Sequence, residues 1–102
     1  MHVISRRTLL EFGQMHPDAK GALDAWYRVT AKAQWQNIRD VRAVFPHADP
    51  IRVGSSNTVT VFNIGGNKYR LLAGIHYNRA KLFVLQILTH QEYTLDRWKE
   101  TL

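Results

Sequence analysis

Thr58-Val59-Thr60-Val61-Phe62-Asn63-Ile64-Gly65-Gly66-Asn67-Lys68-Tyr69-Arg70-Leu71 carries the strongest conformational signal in the chain. Its first seven residues are rich in β-branched and aromatic side chains, which fit a pleated, half-buried strand. Gly65-Gly66-Asn67 tolerates positive φ and so closes a hairpin. Residues 68–77 read as the returning strand, with Tyr69, Leu71, Ala73, Ile75 and Tyr77 on one face and Lys68, Arg70, Leu72, Gly74 and His76 on the other. The first set is the better core face. Tyr77-Asn78-Arg79-Ala80 turns into a third strand, Lys81 to Thr89, which completes an antiparallel meander. On that strand Phe83, Leu85 and Ile87 share one parity and Leu82, Val84, Gln86 and Leu88 the other, with His90 joining the second set if the strand extends so far. Alternation alone does not align the two strands.

Upstream of the hairpin the hydrophobic period is helical. Ser5 is placed to cap a first helix containing Leu9, Leu10 and Phe12, and His16-Pro17 ends that helix near Met15. Pro17 suits the first position of a second helix, where its missing N–H costs nothing. Leu23, Trp26, Tyr27 and Thr30 follow the i, i+3, i+4, i+7 pattern and predict an amphipathic helix from Pro17 to Gln34. Asn37 to Val44 reads as a short helix, and Pro46, Pro50, Gly54, Ser55 and Ser56 as loop. A short helical tail with Asp96, Arg97 and Trp98 closes the chain. The pattern predicts one α+β domain over residues 1–102, an N-terminal helical hairpin packed on a small antiparallel sheet. There is no internal repeat, low-complexity segment or linker.

Composition narrows the partners. A formal net charge of +6 and a pI near 10.1 in 102 residues favour an anionic partner. Residues 1–50 hold seven Lys/Arg against five Asp/Glu and residues 51–102 seven against three, so the excess leans toward the strand-rich half. The absence of cysteine removes disulfides, thiolate nucleophiles and zinc knuckles, and suits a reducing cytoplasm. No signal-peptide pattern and no apolar run of membrane-spanning length is read, so a cytoplasmic protein without a membrane partner is expected.

Chemistry gathers around two segments, Asn67-Lys68-Tyr69-Arg70 and Thr89-His90-Gln91-Glu92-Tyr93. If the core faces of the two strands match, Lys68 and Arg70 share a sheet surface with Gln86 and His90, a basic floor with a titratable group at its edge. Arg offers a planar fork to phosphate oxygens and Lys a mobile point charge. A histidine exchanges protons near neutrality, and a tyrosine can stack on a base or relay a proton. Each residue alone has a plainer reading: Lys68 and Arg70 as a solvated strand face, His90 as a surface or capping histidine, Tyr93 as a rim aromatic. His2, His16, His47 and His76 show no metal-site spacing, no nucleotide-cradling glycine motif is present, and no cofactor is expected.

Val61 to Leu71 (V-F-N-I-G-G-N-K-Y-R-L), the meander after it, and T-H-Q-E-Y at Thr89 to Tyr93 with Trp98 downstream closely resemble the HigB family of type II toxins. The resemblance runs from the Ile4 opening through A-V-F-P at Ala43 to Pro46 to the tail. It implies a RelE-like α+β toxin that cleaves mRNA, usually on the ribosome, by attack of a ribose 2′-hydroxyl on the adjacent phosphorus without a metal. By the same resemblance Lys68, Arg70, His90 and Tyr93 are the catalytic candidates, and Asn67, Gln86 and Lys81 join Lys68 and Arg70 as RNA contacts. It also implies a HigA-like helix-turn-helix antitoxin, with operator DNA bound only through the toxin–antitoxin complex. One departure stands out: many relatives carry Asp after the tyrosine of the second motif and this chain has Thr94, leaving Glu92 and Asp96 as substitutes. The alternative is a non-catalytic RNA- or ribosome-binding module using the same basic face.

Overall fold

The hairpin forms where the alternation predicts it. In a computed structural model describing residues 1–102, β3 (Thr58–Ile64) and β4 (Tyr69–His76) pair antiparallel from Thr60↔Ala73 to Ile64↔Tyr69. Gly65 and Gly66 sit in the left-handed region, at φ 63° and 71°, where a side chain at both positions would be strained. One 3₁₀ turn, Tyr77–Arg79, leads into β5 (Lys81–Thr89), which pairs antiparallel with β4 from Tyr69↔Thr89 to His76↔Lys81.

Two strands that the sequence did not announce extend this meander into a mixed five-stranded sheet. β1 (His2–Ile4) runs parallel to β5, and β2 (Asp49–Arg52) antiparallel to β3, giving the order β1-β5-β4-β3-β2. Three residues are too few to show alternation, and β2 lies in the stretch read as loop from its prolines and glycine. Pro50 is tolerated there because β2 is an edge strand.

α1 (Arg6–Met15) and α2 (Lys20–Lys32) form the helical hairpin, joined by a 3₁₀ turn, Pro17–Ala19, that opens on the expected proline. Ser5 precedes α1 in the left-handed conformation and its hydroxyl makes no capping bond, contrary to the sequence reading. α3 (Ile38–Val44) forms where a short helix was read, with Asn37 outside it as its cap: Asn37 Oδ1 accepts from the N–H groups of Arg39 and Asp40 at 2.9 and 3.2 Å. The amino group of Met1 donates to the carbonyls of Thr30 and Ala33 at the end of α2, where the helix dipole favours a cation. No helix is long and apolar enough to cross a membrane.

The helices cover one face of the sheet. Leu9, Leu23, Trp26, Trp35 and Val41 pack there against Phe62, Leu71, Ala73, Leu82, Val84 and Ile87. The other face is covered as well, by α4 (His90–Thr94) and α5 (Trp98–Thr101), with Trp98 packed on Val53, Val59, Val61 and Leu72. Leu71 and Leu72, neighbours that point to opposite faces, are both fully buried. The surface read as a solvated basic floor is therefore largely a second apolar cluster.

The alignment that parity left open is decided by a bulge. Leu72 pairs with Gln86 but Ala73 with Val84, which leaves Leu85 as an extra residue in β5. Leu82 and Val84 face the helices before it and Ile87 after it, while Gln86 and Leu88 share the tail-side face with Arg70 and Leu72.

Trp98 is the keystone of the tail, 4% exposed, with its indole N–H donating to the Tyr93 carbonyl at 3.1 Å. Trp98→Ala should lower the unfolding free energy by about 3 kcal/mol, as other large-to-small core changes do, read from urea denaturation. A loss under about 1 kcal/mol would show that the tail does not hold this face closed.

Candidate active site

α4 begins immediately after β5 because Thr89 and Glu92 form a capping box. Thr89 Oγ1 accepts from the Glu92 N–H at 3.2 Å, and Glu92 Oε1 accepts from the Thr89 N–H at 2.9 Å. Two polar residues of T-H-Q-E-Y thus have a local structural cause, and they set His90 and Tyr93 on the first turn of the helix. The His90 N–H donates to the Lys68 carbonyl at 2.8 Å. That bond ties the start of α4 to the β3–β4 turn and brings the two segments singled out in the sequence together.

Arg70 is 9% exposed. It pairs across β4 with Asn63 and Leu88, and its guanidinium lies 5.4 Å from the centroid of the Tyr93 ring. One Nη donates to the Tyr69 carbonyl at 3.2 Å, and its other N–H groups make no hydrogen bond to the protein. The ion pairs of the chain are Arg7–Glu11, Lys68–Asp18 and Lys99–Asp96, so no carboxylate neutralises Arg70. A buried cation with free donors and no counterion is suited to an incoming anion. Tyr93 is sandwiched, with Trp98 stacked on it at 5.3 Å and 15°. Burial raises its phenol pKa, Asp49 adds to the rise, and Arg70 and Lys99 oppose it. Tyr93 is accordingly protonated at neutral pH.

Lys68 lies in the turn before β4 starts, so it does not share a strand face with Arg70 as the alternation predicted. It is exposed, and its Nζ stands 3.7 Å from Asp18 Oδ2 on the helix-layer side. The other oxygen of Asp18 accepts from the Tyr69 hydroxyl at 2.7 Å. Tyr69 packs edge-on against Phe12 and His16, each at 5.3 Å, and His16 stacks on Phe12 at 4.4 Å. The Tyr69 hydrogen bond holds the Asp18 carboxyl below the usual range, partial desolvation opposes this, and Lys68 and His16 assist it. The same bond, with desolvation, raises the Tyr69 phenol.

The remaining candidates divide. Asn67 is exposed in the turn beside Lys68. Gln86 is half-buried on Arg70's sheet face and lines a cleft of about 310 Å³ with Leu88, Glu92, Leu95, Arg97 and Trp98. Lys81 starts β5 opposite His76, eight residues from the Thr89 end, about 26 Å along the strand. It does not join the others. Asp18 and Trp98 were missed as parts of the site. Asp18 meets Tyr69 across 51 residues, which no local pattern reveals, and Trp98 read as a packing aromatic or, if exposed, a surface for stacking RNA bases. No group of three or more His, Asp or Glu side chains converges as a metal-binding set.

Residues 19–96 match the HigB_toxin family, described as a RelE-like toxic component of a toxin-antitoxin system. The chain belongs to that family. The HigB match spans the hairpin, β5 and α4, hence Lys68, Arg70, His90 and Tyr93. Similar relatives include the mRNA interferase toxin HigB of Escherichia coli K12, 30% identical over 93 residues that cover 91% of this chain and 88% of the relative. The mRNA interferase HigB of Shigella flexneri shows the same identity and coverage, and that of Escherichia coli O6:H1 is 31% identical over 93 residues. The Thr94 hydroxyl donates to the Gln91 carbonyl at 2.8 Å. Neither substitute carboxylate serves His90: Glu92 is engaged in the capping box and Asp96 pairs with Lys99 at 3.4 Å.

The Asp18–Tyr69 bond has a defined pH window. Asp18 is depressed, so its contribution is present above the unfolded value of about 3.9 and is lost as pH falls through the lower folded value. Tyr69 is raised, so its contribution is present below about 10 and is lost as pH climbs through the higher folded value. The stability difference between the wild type and Tyr69→Phe should be flat from about pH 5 to 9 and shrink at both ends. Urea melts across pH measure this, and a difference that grew in acid would refute the bond.

Proposed function

We propose that this HigB-family toxin is a metal-independent endoribonuclease that cleaves mRNA on the translating ribosome. The carrying observation is Arg70, a buried guanidinium with free donors and no carboxylate, set under Tyr93, which itself lies one helical turn from His90. The mRNA interferase names of the HigB relatives support the same substrate.

In this reading the scissile phosphate rests on Arg70, with Lys68 and Asn67 reaching it from the turn and Gln86 contacting the strand alongside. The ribose 2′-oxygen attacks the adjacent phosphorus as its proton is taken up, and the bond to the 5′-oxygen breaks. The products are a 2′,3′-cyclic phosphate and a free 5′-hydroxyl. Arg70 offsets charge building on the non-bridging oxygens. Tyr93 and His90 divide the proton transfers, one to the departing 5′-oxygen and one from the 2′-hydroxyl. Lys68 adds a second cation that follows the phosphate as its geometry changes.

The basic surface also accounts for an antitoxin. The cognate partner is a HigA-like helix-turn-helix protein, and operator DNA is contacted through that complex. One domain spanning the chain acts in the cytoplasm, where mRNA is translated.

The decisive experiment induces the chain and maps new 5′ ends in cellular mRNA, with Arg70→Ala, His90→Ala and Tyr93→Phe for comparison. Cuts inside translated frames should fall by about 10² or more in each variant, and should be absent on naked RNA. If His90→Ala and Tyr93→Phe still cut and arrest growth, the site is misassigned. If no new ends appear with the wild type and Arg70→Ala merely weakens RNA association, the chain binds RNA without cleaving it.

A further inference from the structure

We infer that Asp18 is a positioning residue for Lys68, confining the ammonium to the Asp18 side of the turn that lies beside His90. The inference rests on the endoribonuclease reading and extends its site to the helix layer. Asp18 lies one residue outside the segment matched to the family.

The geometry is specific to the two oxygens. Oδ1 is occupied by the Tyr69 hydroxyl at 2.7 Å, which fixes the rotation of the carboxylate and leaves Oδ2 for Lys68 Nζ at 3.7 Å. Asp18 is itself held firmly, between Pro17 and the fully buried Ala19. Lys68 is the opposite case. It has a long side chain on an exposed turn that follows two glycines, and without a partner its ammonium would sample many positions. Its carbonyl accepts the His90 N–H, so whatever steadies residue 68 steadies the start of α4 as well.

Magnitude argues against a role in stability alone. Both partners of the ion pair are at least half exposed, and such pairs contribute little to folding. A 3.7 Å separation is also loose, leaving the ammonium's other donors free for a phosphate. The carboxylate meanwhile repels that phosphate. Removing its charge should therefore loosen Lys68 without weakening RNA binding, which separates the turnover number from the Michaelis constant in a way that unfolding would not.

Asp18→Asn isolates the charge because its amide oxygen still accepts from Tyr69. In single-turnover cleavage of mRNA on programmed ribosomes, the maximal rate should drop about tenfold, with half-saturation unchanged or lower and a loss of thermal stability no larger than that of Tyr69→Phe. In a Lys68→Ala background Asp18→Asn should add nothing. Where Lys68→Ala is too slow to follow, amide ¹⁵N relaxation of Lys68 and His90 decides, with added mobility expected in Asp18→Asn. A wild-type rate in Asp18→Asn, or unchanged relaxation, overturns the inference while leaving the RNase reading in place if Arg70→Ala is inactive. Absence of any cleavage by the wild type overturns both.

Discussion

Covering β4 on both faces from Tyr69 to Ala73 leaves that stretch with no solvent side, and the rest of the molecule is arranged around that constraint. Leu71, Leu72 and Ala73 are fully buried in succession, so both parities must be apolar in mid-strand, as in sheets covered on both sides. Arg70 breaks the rule one residue from the turn. Its charge is met by a carbonyl and the face of a phenol, and a cation–π contact contributes about 0.5–2 kcal/mol. Its remaining N–H groups make no hydrogen bond to the protein and keep contact with solvent, since the side-chain atoms sealed without a partner are Trp26 Nε1 and Thr30 Oγ1. An anion at those donors exchanges water for charge-assisted bonds, which is a physical reason for a phosphate to settle there.

The tail makes this possible, and it is fastened at several points. The capping box starts α4, His90 bonds to the hairpin turn, and Trp98 bonds back to Tyr93. At the far end the Gly54 N–H donates to the Lys99 carbonyl at 2.9 Å. A Cβ on Gly54 would stand 3.1 Å from that oxygen, tighter than side chains normally sit. Gly54 is thus needed for close approach of two backbones, a different reason from the loop flexibility its sequence context implied. Because every fastening is local to the tail or reaches back to the hairpin and its flanking loop, the floor and the lid of the proposed site are set together.

What was legible in the sequence follows from how local its cause is. The hairpin, the third strand and the short helix ending at Val44 each depend on residues within a few positions of one another, and each formed where expected. β1 and β2 owe their conformation to partners far along the chain. The bulge at Leu85 overrode parity on β5, and β4's second face looked solvated because the cover comes from a tail with no pattern pointing to it. T-H-Q-E-Y was read as a chemical motif, yet two of its residues start a helix. Lys68 and Arg70 looked like one strand face, yet the strand begins between them. The two segments are nonetheless neighbours in space, joined by the His90–Lys68 bond.

That split between Lys68 and Arg70 gives the two cations different work. Arg70 is rigid, on the tail side, and presents a fork of fixed geometry; Lys68 is exposed, on the helix side, and presents a movable charge steadied by Asp18. A phosphodiester passing through a five-coordinate phosphorus changes shape at its equatorial oxygens while its chain neighbours stay put. A fixed clamp on one side and a compliant charge on the other accommodate that change without moving the backbone. The net charge of +6 acts earlier, drawing RNA in over distances limited by a screening length of about 8 Å. Attraction is therefore a property of the whole surface, while in the proposed mechanism selection of a single phosphate falls to Arg70, the cation that packing holds in one place.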